Sequence, residues 1–200
     1  MLDKIISRRW AMAWHTMLNM AGVSLGFLVA WETGQFYLGF TQVICSLLLW
    51  FYSTSFKRQV LIGNVVISLL TALAVVVVGF YEKQIYHSFE AIISVTGRRL
   101  IQVIGVYALF AFLISMVREI VKDLEDMMGD SKDGCRTLPI AWGVLAAKRF
   151  CNALLLALVV IILLVEIRVW IMGWYIAIGY LVLFVQLPCG YLYRTLKKAT

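Results

Sequence analysis

Six stretches of this chain stay apolar for about 16 to 21 residues at a time, at 10–30, 36–51, 60–80, 101–117, 150–165 and 169–188. That feature constrains the fold more than any other. A helix rises about 1.5 Å per residue, so each run is about long enough to cross a hydrocarbon core of roughly 30 Å. The hydrophobic share of 62%, with only two prolines in 200 residues, lies outside the range of a soluble domain, as does the mean hydropathy of +0.90. A β-barrel would show short alternating segments, and the continuous run 154–165 does not alternate. The expected fold is all-α, a polytopic transmembrane helix bundle of about six spans, read as one domain over 1–200.

Basic residues assign the two sides of such a bundle, because Lys and Arg collect in loops that stay cytoplasmic. With six spans, one side carries Lys4, Arg8, Arg9, Lys57, Arg58, Arg118, Lys122, Lys132, Arg136, Lys148, Arg149, Arg194, Lys197 and Lys198. The other carries Lys83, Arg98, Arg99 and Arg168. A missed helix would scramble that division, so it supports the number of spans as well as the orientation. The net charge of +7 is mostly this asymmetry. It argues against a nucleic-acid partner and for phosphate-bearing lipids or substrates. Residues 1–9 lack a cleavage pattern, and the run after them is long enough to remain as an anchor. Cys45, Cys135, Cys151 and Cys189 show no CxxC spacing and read as packing residues.

Six of the eleven acidic side chains fall in 118–139: Glu119, Asp123, Glu125, Asp126, Asp130 and Asp133. Asp123, Asp126 and Asp130 are spaced i, i+3, i+7, so they share one face if the preceding helix continues through them. A carboxylate site for a hard divalent cation requires such an arrangement. Lys122, Lys132 and Arg136 lie among them. Carboxylates to hold metal, beside cations to hold an anion, suit a diphosphate bound through Mg²⁺. The competing reading is a solvated charged connection. On the same side lies Tyr-Ser-Thr-Ser-Phe-Lys-Arg, from Tyr52 to Arg58, with Asn64 six residues beyond. Lys57 and Arg58 are either membrane anchors or contacts to a bound anion.

Polar groups inside spans are costly. His15 and Asn19, one turn apart, either line a cavity or bond between helices. Glu166 and Arg168 fall at an outer turn, where they pair or stay solvated. The external connection 82–99 holds no catalytic set, and its His87 has no carboxylate or cysteine at metal spacing. A carrier would place an ionisable residue near mid-membrane, whereas these spans are almost free of charge at their centres.

The order of these signals resembles the UbiA-type intramembrane prenyltransferases, helical bundles with two aspartate-rich cytoplasmic loops. The second loop of that family has the form Arg-Glu-x-x-Lys-Asp-x-x-Asp-x-x-Gly-Asp, then Gly and Thr-Leu-Pro. Arg118, Glu119, Lys122, Asp123, Asp126, Gly129, Asp130, Gly134, Thr137, Leu138 and Pro139 match it in register. Tyr52-Ser53, Lys57-Arg58 and Gly63-Asn64 resemble the segment between the two loops. The first loop, Asn-x-x-x-Asp-x-x-x-Asp, has no counterpart, since the acids before Glu119 are Asp3, Glu32, Glu82 and Glu90. Residues 1–9 resemble the family's segment just beyond that first loop, and 193–200 resemble a connection into a final helix. The chain thus reads as six of the family's nine helices, truncated at both ends.

The resemblance implies a membrane-embedded, Mg²⁺-dependent transferase that moves a prenyl group from an allylic diphosphate to a lipophilic acceptor. Asp123, Asp126 and Asp130 are then the catalytic, metal-holding carboxylates of the second loop, and Lys57, Arg58, Lys122 and Arg136 contact the diphosphate. Tyr52, Asn64, Asn19, His15 and Tyr107 line the cavity, where an aromatic face such as Tyr52 or Tyr107 favours a developing allyl cation. The wording of the second loop is closest to enzymes that prenylate a geranylgeranylglycerol phosphate. Aromatic quinone-precursor acceptors are the rival, and a catalytically dead remnant is a third reading. With half of the metal ligands absent, residues 1–200 alone are expected to transfer little or nothing.

Overall fold

A computed structural model of the chain describes residues 7–82 and 95–198, so the reading of the external loop around His87 lies outside the described residues. Helix α1 spans Arg8–Glu32, α2 Phe36–Thr54 and α3 Ile62–Phe80, with one 3₁₀ turn at Phe56–Arg58. Helix α4 runs over Val95–Glu125, the short α5 over Met127–Lys132 and the short α6 over Leu138–Trp142. Helix α7 spans Val144–Ile171, and α8 (Tyr175–Leu181) passes through a π-helical turn at Val182–Gln186 into α9 (Leu187–Lys198). Among the described residues there is no strand, and six helices are long and apolar enough to cross a membrane. The all-α, six-span expectation stands.

Three helix ends use one device. After α1, α5 and α7 a glycine takes a left-handed conformation: Gly34 (φ 72°), Gly134 (φ 70°) and Gly173 (φ 77°). In each case the glycine N–H and the next N–H fold back onto the last turn, as in Gly134 N to Ser131 O (3.3 Å) and Cys135 N to Asp130 O (2.9 Å). These bonds satisfy carbonyls that a helix end leaves open, and glycine adopts the conformation without a Cβ penalty.

Two boundaries differ from the sequence reading. The last apolar run is expected at 169–188, yet Gly173 stops α7 and the next helix begins at Tyr175. That helix then continues through Lys198, so residues 193–198 are helical. Pro188 sits inside it. Its ring would clash with the carbonyl of Phe184, and the wider π turn over Val182–Gln186 falls where that clash must be relieved.

The chain divides into two compact units, Met1–Thr54 with Leu73–Gly105, and Ser55–Ala72 with Val106–Thr200. In the first, α1 and α2 approach closely at Gly39, where an added Cβ would meet the Phe27 ring at 2.5 Å. Phe27, Phe36 and Phe40 cluster beside it, with ring centroids 5.3 to 6.0 Å apart. The second holds the main core. Leu113, Met116, Val117 and Ile120 form an i, i+3, i+4, i+7 stripe on α4, and Ala147, Cys151, Leu155, Leu158 and Ile162 form another on α7. Cys151 and Cys189 are packed there and Cys135 is buried, as expected for packing cysteines. In lipid, where tails are as apolar as leucine, such stripes stabilise through close packing more than through release of water.

Candidate functional site

At about 1.5 Å per residue the 31 residues of α4 extend roughly 46 Å, well beyond a bilayer core. The apolar run ends at Val117, and the next two turns carry Arg118, Glu119, Lys122, Asp123 and Glu125. Asp123 is half-buried, and its Oδ2 accepts a 2.9 Å hydrogen bond from Nδ2 of Asn64, in the first turn of α3. Asn64 is itself buried, and its carbonyl accepts from the Ser68 hydroxyl at 2.7 Å. One helical turn back on α4, Glu119 is 5% exposed and pairs through Oε1 with Arg118 Nη1 at 2.9 Å.

The helix does not continue through all three aspartates. It stops at Glu125, and Asp126 is a bend residue (φ −86°, ψ 0°) before α5. The single shared face expected for Asp123, Asp126 and Asp130 is therefore corrected. Asp126 occupies the position before the first turn of α5, and its side chain makes no capping hydrogen bond there. The charges acting on Asp123 are Asp130 and Glu119, which repel it, and Lys122, which offsets them. Asp126 is exposed, while Asp130 is half-buried.

The segment before α3 is tied to the same loop. The Arg136 N–H donates to the Arg58 carbonyl at 3.0 Å. Between Arg58 and Asn64 the chain turns sharply: Leu61 has φ 62°, and the Ile62 N–H closes on the Val60 carbonyl at 2.7 Å. A branched residue in the left-handed region costs on the order of 1 to 2 kcal/mol, so the surrounding contacts must hold it there.

Of the predicted diphosphate contacts, Arg58 and Arg136 are exposed and meet through their backbones. The Lys57 side chain lies outside what the structure describes. Lys122 projects about 100° around α4 from Asp123 and lines a cleft of about 450 Å³ with Arg118, Glu125 and the apolar Ile114, Val121 and Leu192. Of the predicted lining residues, Asn64 contacts Asp123 directly. Tyr107 is 66% exposed on α4, and Tyr52 is half-buried on α2. In the first unit, Asn19 Nδ2 and His15 Nε2 lie 3.0 Å apart within α1, so they pair with each other and not between helices. Both line an open groove of about 380 Å³ with Ser24, Ser46 and Trp50. Glu166 pairs with Gln186 at 3.0 Å, not with Arg168.

Among the described residues no three His, Cys, Asp or Glu side chains converge on one point. The donor set nonetheless fits Mg²⁺. This ion is usually held by one or two carboxylates, with waters and substrate phosphates completing its octahedron. Asp123 and Asp130 are hard carboxylates whose like charges act on each other, and a bound cation would relieve that repulsion. Sequence spacing identifies these carboxylates. It carries no signal for the Asn64 to Asp123 bond, the Arg58 to Arg136 tie or the burial of Glu119, all of which join separate elements.

A polytopic helical membrane protein with an acidic, cation-studded loop fastened to its third helix is the class this geometry defines. The sequence pattern of the UbiA prenyltransferase family matches residues 2–199, and the chain belongs to that family. Similar curated proteins include the digeranylgeranylglyceryl phosphate synthases of Methanosphaera stadtmanae and Thermococcus sibiricus. The first is 30% identical over 138 residues, covering 69% of this chain and 43% of that protein. The second is 32% identical over 139 residues, covering 70% and 42%. That of Methanothermobacter thermautotrophicus is 38% identical over 113 residues, covering 54% and 34%. The chain spans about two fifths of the length of the first of these relatives. No solved structure matches it.

Proposed function

We propose that this chain belongs to a membrane-embedded transferase that moves a prenyl group from an allylic diphosphate to a lipophilic acceptor of the geranylgeranylglycerol phosphate type, with the aspartate loop cytoplasmic. The observation that carries the reading is the fastening of the aspartate loop to the start of α3 at two points, Asn64 to Asp123 and Arg58 to Arg136. The names of the similar proteins support the acceptor class. Asp123 and Asp130, with Asp126 at the bend, are the residues that would hold Mg²⁺. When bound, Mg²⁺ neutralises the charge that grows on the departing diphosphate. Arg58, Lys57, Lys122 and Arg136 add charge-assisted hydrogen bonds to its oxygens. Because that charge is larger in the transition state than before it, cations that meet it at these positions lower the barrier and do more than bind.

The test uses membranes bearing the full-length protein, supplied with geranylgeranyl diphosphate, geranylgeranylglyceryl phosphate and Mg²⁺. Mass spectrometry should find the two-chain ether phosphate, and EDTA should abolish it. Transfer only to an aromatic acceptor would overturn the acceptor assignment. Absence of transfer to either acceptor would overturn the activity.

A further inference from the structure

We propose that Asn64 is a positioning residue for this site, acting through Asp123; this rests on the reading of Asp123 as a metal-holding carboxylate. Polar residues recur along the seam between α3 and α4 in the second unit. Asn64, Ser68 and Thr71 recur at i, i+4, i+7 on α3, and Ser115, Glu119 and Asp123 recur at i, i+4, i+8 on α4. Each set therefore lies on one helix face. Two cross-links fix the antiparallel register. Asn64 donates to Asp123 at 2.9 Å, and the Thr71 and Ser115 hydroxyls meet at 3.3 Å. Ser68 and Glu119, between these ends, are buried, as is Ser115 at one of them.

Asn64 differs from the others in where it acts. An ionised carboxylate has about four lone-pair positions and rotates freely unless something holds it. The Asn64 amide takes one position on Oδ2, which sets the carboxylate plane and leaves the remaining lone pairs in a fixed direction. Asn64 is in turn held from two sides. Its carbonyl accepts from buried Ser68, and its place at the start of α3 is set by the left-handed turn at Leu61. That turn comes just after the Arg58 carbonyl, which is fastened to Arg136 beyond the aspartates. Residues 58–64 thus hold the aspartate loop at two points, one at Asp123 and one at Arg136. Partners that orient a metal-ligating carboxylate typically change metal affinity by about 10- to 100-fold when removed.

The experiment titrates Mn²⁺, as an EPR-visible substitute for Mg²⁺, into the purified full-length protein with inorganic diphosphate present. Asn64→Ala should weaken Mn²⁺ binding by about tenfold or more, and Asp123→Asn by at least as much. In the Asp123→Asn background the added Asn64→Ala should change affinity less than twofold, because its route of action is gone. Thr71→Val cuts the other cross-link of the seam and should lower the thermal midpoint without changing Mn²⁺ affinity. Asn64→Leu, with the same number of side-chain heavy atoms and the same branching at Cγ, repeats the measurement should the alanine variant not fold. If Asp123→Asn weakens Mn²⁺ while both Asn64 variants bind normally, the positioning role is wrong and the metal reading stands. If Asn64→Ala weakens binding equally in both backgrounds, or Thr71→Val weakens it as much, Asn64 only packs the seam and the proposal falls. If Asp123→Asn itself leaves Mn²⁺ binding intact, the metal reading underneath fails.

Discussion

Replacing Asp123 by asparagine should uncouple stability from activity. The carboxylate is partly withdrawn from water and faces the like charges of Asp130 and Glu119, with one stabilising bond from Asn64. Asparagine keeps the volume, and its side-chain oxygen still accepts from Asn64. What is lost is the extra strength of a hydrogen bond to a charged group, about 1 kcal/mol. What is gained is relief from two repulsions and from partial desolvation, of similar order at an effective dielectric near 20. These terms cancel, so without ligand the thermal midpoint should stay within about 3 °C. The liganded state should differ sharply. At Mg²⁺ and diphosphate levels of about 100 times Kd, binding stabilises the folded protein by about 2.7 kcal/mol, or roughly 5 to 10 °C for a chain of this size. A variant that binds about 100-fold more weakly keeps only about 0.4 kcal/mol of that, near 1 °C. Prenyl transfer should fall by about 10² to 10³, equivalent to about 3 to 4 kcal/mol of transition-state stabilisation. Tryptophan fluorescence melts with and without ligand, run beside turnover against Mg²⁺, test both halves. A midpoint lowered by more than about 5 °C without ligand, with the ligand-induced rise intact, would refute the argument and make Asp123 a structural residue.

Other consequences can be measured separately. Cys135 is buried, so it is a poor topology probe; Ser131→Cys, on the exposed surface of α5, should react with an impermeant thiol reagent only once the cytoplasmic face is opened. Labelling of Ser131→Cys from outside intact cells would reverse the orientation. Gly143 stands at φ 86°, ψ 156°, a region open essentially to glycine alone, and a Cβ there meets nothing. Gly143→Ala should therefore cost about 2 to 3 kcal/mol from backbone strain, against about 1 kcal/mol for Gly134→Ala, as read from thermal midpoints. Glu125 is exposed and projects about 160° around α4 from Asp123, so Glu125→Gln should leave turnover within about twofold; a loss comparable to that of Asp123→Asn would move the site to that face.

How much of the fold and the site is legible in the sequence depends on the range of the interactions involved. The helices are legible because a membrane makes each apolar run satisfy its own backbone, a local demand written in composition. The ends at Gly34, Gly134 and Gly173 are local too, but the hydropathy of Val169 and Trp170 runs on into Tyr175 and hides the glycine at 173. The carboxylates can be found by their spacing and by their match to a family motif. The bond from Asn64 to Asp123 joins residues 59 apart, and the tie from Arg58 to Arg136 runs between backbones and leaves no mark on side-chain identity. His15 and Asn19 read from the sequence as cavity lining or as a bond between helices, and the i, i+4 spacing that puts them on one face serves equally the pair they make within α1.

The break at Asp126 changes which partner of Asp123 should matter. On an unbroken helix Asp126 would lie one turn from Asp123, about 4.5 Å along the axis, and Asp130 two turns away, about 10.5 Å along it. By that geometry Asp126 ranks with Asp123. With the helix interrupted, Asp130 is the aspartate whose charge acts on Asp123, and it is half-buried where Asp126 is exposed. A carboxylate that already repels Asp123 must be the one a shared cation stabilises most, whereas an exposed charge interacts through water and contributes little. Asp130→Asn should therefore raise the Mg²⁺ concentration needed for half-maximal prenyl transfer by tenfold or more, and Asp126→Asn by no more than about threefold. Turnover against Mg²⁺ for the two variants decides between the geometries. A larger effect at Asp126 would mean that the helix straightens through the bend when metal and diphosphate bind, restoring the face that the spacing describes.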